Sequence, residues 1–528
     1  MKGRIFPLLA VTLLLGFAFG AAASCGGGAS SRQTPSATDD DASPADDDVS
    51  PVDDDVSPVD DDASPVDDDQ SPAADDDDND DMFNCDVIHP HSTVGLISCL
   101  PGAYTGYTLF APLMADTVYL IDMSGRVVNT WAGQYLPGLS VYLLDNGQLL
   151  RTGNALNLNF PSGPQGGVVT LQNWDGTTAW NYLMCSDEVC AHHDVHMMPN
   201  GHILMIMWER KTTAEVVAAG RDPNTYPYKE MFADYIAEIA PVGTDDVQVV
   251  WEWHTWDHLI QDYDPTQANF GLVGAHPELI DINYGVPRQS DWQHTNGIDY
   301  NADFDQILVS VRNFSEVWVI DHSTTADEAA THDGGRYGRG GDLLYRWGNP
   351  AAYRQTSPPQ DFYNQHDGQW IADGLPGAGH MLVYNNGDDR PAGQYSSVDE
   401  FVPAVNPDGS YAAADPAYGP AGLTWTFVDA VPTDMYSNFY SSAQRLANGN
   451  TFICNGETGV FMEVTAAGAV LWQFVNPVTG SGVMQQGQQI PANGTAGNGA
   501  FRAYRYAPDY PGFAGKNLAP GGCLAPPC

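Results

Sequence analysis

The feature that most limits the possible folds is a pair of strand patterns that recurs through the chain after Cys85. The first pattern is an apolar strand, a turn containing Asn or Asp, and a second apolar strand; it occurs five times, in residues 140–150, 193–206, 294–311, 366–384 and 441–453. The second pattern ends in tryptophan and occurs in residues 118–131, 168–180, 236–253, 317–347 and 461–474. Together they make a four-stranded meander, and meanders repeated at this spacing are typical of a β-propeller.

The number of repeats predicts six blades. Five copies of the first pattern are visible, and we expect the two ends of the chain to build the sixth blade. AFRAYRYAPDY (500–510) is predicted to supply its innermost strand, and GYTLFAP, TVYLID and RVVNTW, within residues 106–131, its outer three. The expected fold is therefore an all-β, six-bladed β-propeller over residues 85–528, in which N- and C-terminal strands close one blade. A β-sandwich with irregular repeats is the alternative.

Residues 1–24 have the pattern of an export signal. Lys2 and Arg4 precede an apolar stretch over residues 6–19, and small residues follow it before Cys25. This order is similar to a bacterial lipoprotein signal, in which Cys25 would carry the lipid; cleavage after Ala23 without lipidation is the alternative. We expect an exported protein, periplasmic or on the cell surface, whose only contact with a membrane is a lipid anchor.

Residues 25–84 have the composition of a disordered tether. Their unit of three Asp followed by Val or Ala, Ser, Pro and Val or Ala recurs every seven residues, offers almost nothing to bury, and repels itself. A calcium-binding array is the alternative, but the segment lacks the glycine turns and the glutamate ligand of calcium loops. The chain has a net charge of −47, to which the tether contributes 21 Asp, and this acidity argues against nucleic-acid partners.

The eight cysteines suit an exported protein, in which disulfides can form. Three pairs are close enough in sequence to join: Cys85 with Cys99, Cys185 with Cys190, and Cys523 with Cys528. Cys454 lies in the strand-like TFICNG, and we expect it to be a buried thiol. No two cysteines have the CxxC spacing, so a cysteine-bound zinc cluster is not indicated.

Three histidines occupy the same position in successive copies of the first pattern. Counting back seven residues from the turn Asn or Asp gives, in the five copies, Leu139, His193, His294, His366 and Ser441. Because the innermost strands of a propeller line its channel, we expect these side chains to converge at one mouth of it.

Converging histidines suit metal binding, a structural role or anion chemistry. Three imidazoles could bind Zn²⁺ with one position open, but no carboxylate shares their position. Asp194 and Asp367, next to two of the histidines, are predicted to face away and to act only as supporting acceptors. His192 and His196 are likewise predicted to lie on the strand face opposite His193. The other histidines are predicted to be surface or loop residues: His202, His254, His258, His276, His322 and His332.

Arg312 favours anion chemistry. It ends the strand that follows His294, which places a permanent cation near the same mouth. An imidazole there could attack the central atom of a sulfate or phosphate group while the other histidines and Arg312 bind its oxygens. Asn296, two residues after His294, is predicted to add a hydrogen bond to the substrate.

Several motifs then resemble a known family. They are DWQHTNGIDY (291–300), SVRN (310–313), QHDGQW (365–370), HHDVHMMPNGH (192–202), and the opening GYTLFAP with the closing FRAYRYAPDYPG. From about residue 100 to 520 the chain resembles the bacterial arylsulfate sulfotransferases, six-bladed propellers of the periplasm. The resemblance implies transfer of a sulfuryl group from an aryl sulfate to a phenol through a transiently sulfated histidine, without phosphoadenylyl sulfate or another cofactor.

The family's functional residues fall on positions already singled out. The resemblance implies that His366 is the nucleophile, that His193 and His294 bind substrate, and that Arg312 is the family's arginine. The chain departs from the family in its long Asp tether and in an apparent insertion at residues 251–279, which bears on the acceptor side.

Further contacts to the substrate are predicted around these four residues. Ser441 is a candidate by its equivalent position, and five aromatic residues are candidates to sandwich the substrate ring: Trp292, Trp370, Tyr436, Phe439 and Tyr440. A surface-tethered binding propeller without catalysis and a metal-dependent hydrolase are the rival functions. We expect no bound metal, and nothing in the sequence predicts an oligomeric state.

Overall fold

Six antiparallel sheets, five of four strands and one of six, follow one another along the chain and form the predicted all-β, six-bladed propeller. The computed structural model describes residues 85–161, 165–285, 290–491 and 497–528. The predicted signal peptide (1–24), Cys25 and the tether (25–84) lie outside the described residues.

The six blades are numbered from the one that contains both ends of the propeller, with strands given from the channel outward. Blade 1 consists of Ala500–Tyr506, Tyr107–Pro112, Thr117–Ile121 and Val127–Ala132. Blade 2 consists of Pro137–Leu143, Leu149–Asn154, Gly167–Gln172 and Thr178–Leu183. Blade 3 consists of Val189–Met197, Ile203–Thr212, Glu230–Val242 and Asp246–His254.

The remaining blades follow the same order. Blade 4 consists of Thr295–Asn301, Gln306–Val311, Glu316–Asp321 and Tyr345–Trp347. Blade 5 consists of His366–Trp370, Met381–Asn385, Ser397–Phe401 and Trp425–Phe427. Blade 6 consists of Ser442–Arg445, Thr451–Asn455, Val460–Val464 and Val470–Val475, and is extended outward by Gly95–Cys99 and Val87–Ile88.

Blade 1 closes the ring as predicted. The C-terminal strand Ala500–Tyr506 is innermost and pairs antiparallel with Tyr107–Pro112, with Tyr504 opposite Leu109. Strands from both ends of the propeller thus complete one sheet and hold the ring closed.

Six tryptophans join neighbouring blades, five from the copies of the second pattern and Trp425 from blade 5. Each lies on the fourth strand of its blade, counted from the channel, and its indole N–H donates to the next blade. The bonds run from Trp131 to Asn173 O, Trp180 to Asp246 O, Trp251 to Thr324 Oγ1, Trp347 to Pro420 O, Trp425 to Ala466 O, and Trp472 to Met123 O. A large apolar ring with one donor suits an interface between sheets, and this explains the repeat.

Three disulfides have the predicted pairing, Cys85 with Cys99, Cys185 with Cys190, and Cys523 with Cys528. Cys454 is a buried free thiol within its strand, also as predicted.

Within the residues that the structure describes, helices and small sheets form short excursions from the blades. The α-helices are Thr213–Ala218 and Ala326–Ala329; the 3₁₀ turns are Thr255–His258, Val273–Ala275, Arg312–Phe314, Pro350–Tyr353 and Pro511–Phe513. Two-residue strands pair Leu259–Ile260 with Ile280–Asp281 and Val478–Thr479 with Gly482–Val483. None of the helices in the described part of the chain is both long and apolar enough to cross a membrane. The apparent insertion at 251–279 begins within the outermost strand of blade 3 and then leaves the sheet.

Candidate active site

Irregular innermost strands shape one end of the channel. The pairing of the innermost strand with its neighbour shifts between Ala191 and Val195 in blade 3, and similar shifts occur in blades 4 and 5. His193 and His294 have left-handed backbones, with φ of 51° and 56°. A bulge re-aims side chains that a regular strand would alternate between its two faces. In the innermost strand of blade 5 the left-handed backbone falls on Asp367 (φ 57°), the residue after His366.

His193 and His294 meet across blades 3 and 4. Their rings lie 4.5 Å apart between centroids at 70°, and His193 is buried. The expectation that His192 faces away from His193 is wrong, since their Nδ1 atoms are 2.8 Å apart. The bulge breaks the strict alternation on which that expectation rested. His192 also stacks on Trp208 at 4.1 Å, which fixes its ring.

His294 forms a pair with Asp291. Its Nδ1 lies 2.5 Å from Asp291 Oδ2, and its side chain, 21% exposed, is the most accessible of the three imidazoles. Burial favours the neutral form of Asp291, but the nearby His294 outweighs it and lowers the pKa of this carboxyl group. Trp208 Nε1 donates to Asp291 Oδ1 at 3.1 Å and orients the carboxylate. A carboxylate on Nδ1 leaves Nε2 to exchange a proton.

His366 is buried between two polar partners. Its Nδ1 is 2.8 Å from Asn386 Oδ1, and the Tyr440 backbone N–H donates to its Nε2 at 3.2 Å. Asn386 Nδ2 donates to Ser437 O and Tyr440 O, so its Oδ1 is the atom that accepts from the imidazole. His366 is therefore held with the hydrogen on Nδ1 and the lone pair on Nε2.

The surroundings keep His193 and His366 neutral. Burial is the main cause that lowers the pKa of His366 well below its ordinary value, and the Arg312 cation adds to it. Burial and the neighbouring His294 and His192 likewise lower the pKa of His193. A neutral imidazole keeps a nucleophilic lone pair, which a protonated one lacks.

Arg312 lies beside the histidines, as predicted. Its backbone N–H bonds to His294 O at 3.4 Å, and it begins the 3₁₀ turn Arg312–Phe314. Its side chain is 14% exposed; Nη1 donates to Asn313 Oδ1 at 3.1 Å and Nη2 lies 3.6 Å from Asp388 Oδ2. An anion bound here would share the guanidinium with Asp388.

His193, His294, His366 and Arg312 together form the cluster. A second, buried arginine supports this cluster from within the channel. Arg502 Nη1 donates to Asp194 Oδ2 at 2.7 Å, its Nε lies 3.1 Å from Asp367 Oδ1, and its Nη2 donates to Asn296 O at 2.8 Å. Asp194 and Asp367 thus act as supporting acceptors, as predicted. Phe501 lies between the histidines and Arg502. Its ring is 6.1 Å from the His193 ring, 6.4 Å from the His366 ring, and 4.8 Å from the Arg502 guanidinium.

Asn296 and Ser441 are engaged in holding the backbone. Asn296 is fully buried, and its Nδ2 donates one hydrogen bond to Gln365 O at 2.8 Å. Ser441 is also fully buried; its Oγ accepts from Gly456 N–H at 2.9 Å and bonds to Ser437 Oγ at 3.1 Å. Both residues lie at the cluster but act here as positioning groups.

The aromatic candidates divide into two sets. Trp292 is 1% exposed and packs in the core on Phe314, so it has no face free for a substrate ring. Trp370 also lies away from the cluster, because it ends the innermost strand of blade 5, four residues and about 13 Å along the chain from His366. Tyr440, through its N–H on His366, and Phe439, whose ring lies 4.8 Å from that of Tyr440, do lie at the cluster. Tyr436 is also near. Burial and the Asp388 carboxylate raise the pKa of its phenol to about 12, and the nearby Arg312 opposes this rise.

The remaining histidines lie away from the cluster, and one expectation about them is wrong. His202, His276 and His332 are partly or largely exposed, as predicted. His258 is completely buried, because it stacks on Trp253 and bonds at both ring nitrogens.

A cavity of about 720 Å³ opens on the side of Arg502 that faces away from the three histidines. It is lined by the later residues of the innermost strands, including Met197, Asp299 and Gln369, and by none of His193, His294 and His366. It therefore belongs to the other end of the channel.

Fold and cluster together define a six-bladed β-propeller that presents imidazole and guanidinium groups at one end of its channel. The sequence model of the arylsulfotransferase (ASST) family matches residues 172–489, more than half of the chain, and this span includes His193, His294, Arg312 and His366. The chain belongs to the arylsulfotransferase family. It is in general terms a sulfotransferase, and the family implies small aryl substrates.

Other comparisons add little. No curated protein sequence matches the chain significantly. Similar solved structures include a protein of unknown function from Bacteroides caccae (13% identity, 70% of this chain and 93% of that chain, TM-score 0.37). Others are the Cps50 (Swd1) β-propeller domain from Myceliophteria thermophila (12%, 73% and 90%, 0.35) and a functionally unknown protein from Desulfotomaculum acetoxidans (9%, 77% and 100%, 0.35). These values are too low to support any inference.

Three residues of the site were not singled out from the sequence. Asp291 stands three residues before His294 within DWQHT, a spacing that could have signalled the pair. Asn386 lies in VYNNGD after the QHD motif, but an amide carries no distinctive signal. Arg502 lies in the strand FRAYRY, and its role depends on partners in blades 3, 4 and 5 that sequence does not bring together.

Proposed function

We propose that this protein moves a sulfuryl group from an aryl sulfate donor to a phenolic acceptor through a sulfated His366. The observation that carries the proposal is the meeting of His193, His294 and His366 with Arg312 at one end of the channel, in a chain of the arylsulfotransferase family. Imidazole supplies both a nucleophile and an acid–base group, and guanidinium matches the oxygens of a sulfate.

In the first half-reaction, His366 Nε2 attacks sulfur. The N–S bond forms as the S–O bond to the aryl group breaks, and the sulfur keeps its three other oxygens. Nε2 now accepts the Tyr440 N–H, so the donor must displace that contact. The hydrogen stays on Nδ1, which donates to Asn386 Oδ1, and the resulting positive imidazole ring carries the negative sulfuryl group. Arg312 binds the sulfuryl oxygens, whose charge would otherwise repel the leaving phenolate.

His294 moves the proton. In its protonated form, which Asp291 stabilises through the 2.5 Å contact, it gives the Nε2 proton to the departing aryl oxygen. In the second half-reaction it takes the proton of the incoming phenol, whose oxygen attacks sulfur. The N–S bond then breaks, and His366 returns to its neutral form. His193, buried against His294, helps to bind the sulfuryl group.

Colour release from p-nitrophenyl sulfate tests the proposal. We expect release by the purified protein to depend on added phenol and to be abolished by His366→Ala. After incubation with donor alone, the peptide that contains His366 should carry the mass of one sulfuryl group. His380→Ala is the matched control, because His380 lies in the same blade but pairs with Glu400 away from the cluster.

Three outcomes would contradict the proposal. Substantial turnover by His366→Ala would exclude it as the nucleophile. Release by water alone that a chelator stops would favour a metal-dependent hydrolase. Binding of aryl sulfates without any release would favour a binding propeller.

Export and lipid anchoring belong to the same proposal. The three disulfides support an oxidising compartment, since such bonds are rare in the cytosol. Mass spectrometry of the mature N-terminus is expected to find a lipid on Cys25, and the Cys25→Ser variant should leave the membrane fraction. An unmodified N-terminus at Ser24 would instead mean simple cleavage after Ala23.

A further inference from the structure

His258 is held rigidly at the outer edge of blade 3. It ends the 3₁₀ turn Thr255–His258, which follows the outermost strand of that blade. Its ring is completely buried and stacks on Trp253, with centroids 5.5 Å apart and planes 4° from parallel. The Trp253 indole donates in turn to Gly341 O at 2.6 Å, in the segment between the third and fourth strands of blade 4.

Both ring nitrogens of His258 face oxygen acceptors. Nε2 lies 2.8 Å from Ala329 O, and Nδ1 lies 2.8 Å from Asp342 Oδ1. A backbone carbonyl can only accept, so the hydrogen of a neutral imidazole must be on Nε2. The lone pair of Nδ1 then points at a carboxylate oxygen, so this contact needs either an additional proton or a metal ion between the two groups.

A third group converges on the same point. His332 Nδ1 lies 2.7 Å from the same Asp342 Oδ1, and the three candidate ligand atoms all lie within 4.8 Å of one another. The Asp342 side chain is nearly buried, whereas 59% of the His332 side chain is exposed, which leaves one side of the group open to water.

From this geometry we propose that His258, His332 and Asp342 bind one Zn²⁺ ion. Two imidazoles, one carboxylate and a water are an ordinary tetrahedral zinc set. The bond from His258 Nε2 to Ala329 O is the outer contact that typically orients a metal-binding histidine. Zinc bonds of about 2.05 Å place ligand atoms about 3.3 Å apart, so the group must open by about half an ångström. The exposed His332 ring can move away from Asp342, and the contact between His258 and Asp342 opens only if the Asp342 carboxylate rotates.

The ion would join two blades. It links the segment after blade 3 to the excursion of blade 4 that contains the helix Ala326–Ala329. The site is separate from the histidines of the channel, and it departs from the expectation that this chain binds no metal. A second proton on His258 is the competing explanation for the acceptor pair.

Zinc content distinguishes the two explanations. The full-length protein is stripped with chelator, dialysed and titrated with Zn²⁺; bound metal is measured by mass spectrometry and Tm by thermal denaturation. We expect one zinc per chain and a Tm that rises with zinc concentration. Co²⁺ in its place should give the intense visible absorption of a tetrahedral site.

Two variants and one control decide the ligands. His332→Ala and Asp342→Asn should each weaken zinc binding by at least about 100-fold, because even loss of an outer contact typically costs 10–100-fold. His276→Ala, an exposed histidine paired with Glu278, should bind zinc like the wild type. His332→Ala changes an exposed side chain, so it tests the site even where Asp342→Asn fails to fold.

Substoichiometric zinc in the wild type, or wild-type affinity in His332→Ala, would overturn the proposal in favour of a proton. The test is independent of sulfuryl transfer. His332→Ala is expected to lose zinc and keep turnover of p-nitrophenyl sulfate, and His366→Ala to keep zinc and lose turnover.

Discussion

Single residues acquire different chemistry at the cluster because their surroundings differ. His366 is buried and near the Arg312 cation, and both lower its pKa and suit a neutral nucleophile, while Asn386 orients its ring. His294 is more exposed and bound to Asp291, which suits a group that gains and loses a proton. Different partners and different exposure are how one site gives like side chains the roles of nucleophile and of acid–base group.

Asp291→Asn should expose the acid–base role of His294. Without the carboxylate, protonated His294 loses its partner, and we expect kcat to fall by about 100-fold or more for donors with a poor leaving group. Donors such as p-nitrophenyl sulfate should be affected less, because their phenolate leaves without a proton. The measurement is kcat across a series of aryl sulfates of increasing phenol pKa.

The control for this series is Asp299→Asn. Asp299 lies 3.4 Å from His196 in a similar histidine–aspartate pair, but it lines the opposite end of the channel. Its variant should keep the wild-type dependence on the leaving group. An Asp291→Asn protein with uniformly reduced rates would mean that Asp291 only supports the fold.

Arg312→Gln should change the pH dependence of turnover. Arg312 lowers the pKa of His366, so without it protonation of His366 becomes easier and its pKa rises. The acidic limb of kcat/KM should therefore move to higher pH, together with a fall of about 10²–10³-fold at the optimum from lost binding of the sulfuryl oxygens. Arg312→Lys keeps the charge and should retain the wild-type limb; an unmoved limb in Arg312→Gln would contradict the role.

At the scale of elements, neighbouring blades are joined by polar bridges as well as tryptophans. His322 of blade 4 lies 3.1 Å from Glu238 of blade 3 and 2.6 Å from Asp305 of its own blade. Burial alone would lower the pKa of His322, but the hydrogen bonds that it donates to these two carboxylates raise it to about 9. The bridge therefore stabilises the fold fully below the ordinary imidazole pKa, and the contribution is lost as pH rises through about 9.

His322→Gln should consequently destabilise the protein in a pH-dependent way. The loss is expected to be about 2–3 kcal/mol near about pH 6 and much smaller near about pH 10, where wild-type His322 is neutral. Thermal denaturation at the two pH values measures it. His276→Gln, on the surface, should change Tm little at either pH, and an equal loss for His322→Gln at both would mean that packing alone matters.

At the scale of the whole molecule, Arg502 ties the blades together beneath the site. From blade 1 it reaches Asp194 of blade 3, the Asn296 carbonyl of blade 4 and Asp367 of blade 5. Burial raises the pKa of Asp367 to about 7 although Arg502 opposes this. Asp194 and Asp367 thus share one guanidinium as the cation that balances their charge. Each of these carboxylates directly follows a histidine of the cluster, His193 or His366, along the chain.

Arg502→Met should be among the most damaging single changes. It leaves two buried carboxylates without their cation, which typically costs about 3–5 kcal/mol. Adding Asp194→Asn and Asp367→Asn should recover much of the loss, since the uncompensated charge is then gone; chemical denaturation measures both. Arg210→Met, which removes a partly exposed pair with Glu230, should cost only about 0–1 kcal/mol. A triple variant no better than Arg502→Met would show that packing around Arg502 dominates.

Local patterns predicted much of the fold. The blade number, the closing strand at 500–510 and all three disulfides followed from repeats and short spacings. The predicted cluster of His193, His294 and His366 also forms, although counting back seven residues from each turn finds the equivalent positions only approximately. Asp367 instead of His366 has the left-handed backbone in blade 5, because turns and bulges differ between blades.

By itself the sequence determined the all-β repeat and the convergence of His193, His294 and His366, because turn spacing is a local property of the chain that repeats from blade to blade. Only the tertiary structure decided what each residue does there. Asn296 and Ser441 bind backbone, Trp292 is core, and Asp291 and Asn386 set the states of two imidazoles. Hydrogen-bond partners, burial and charge depend on distances between blades, and those distances exist only once the ring has closed.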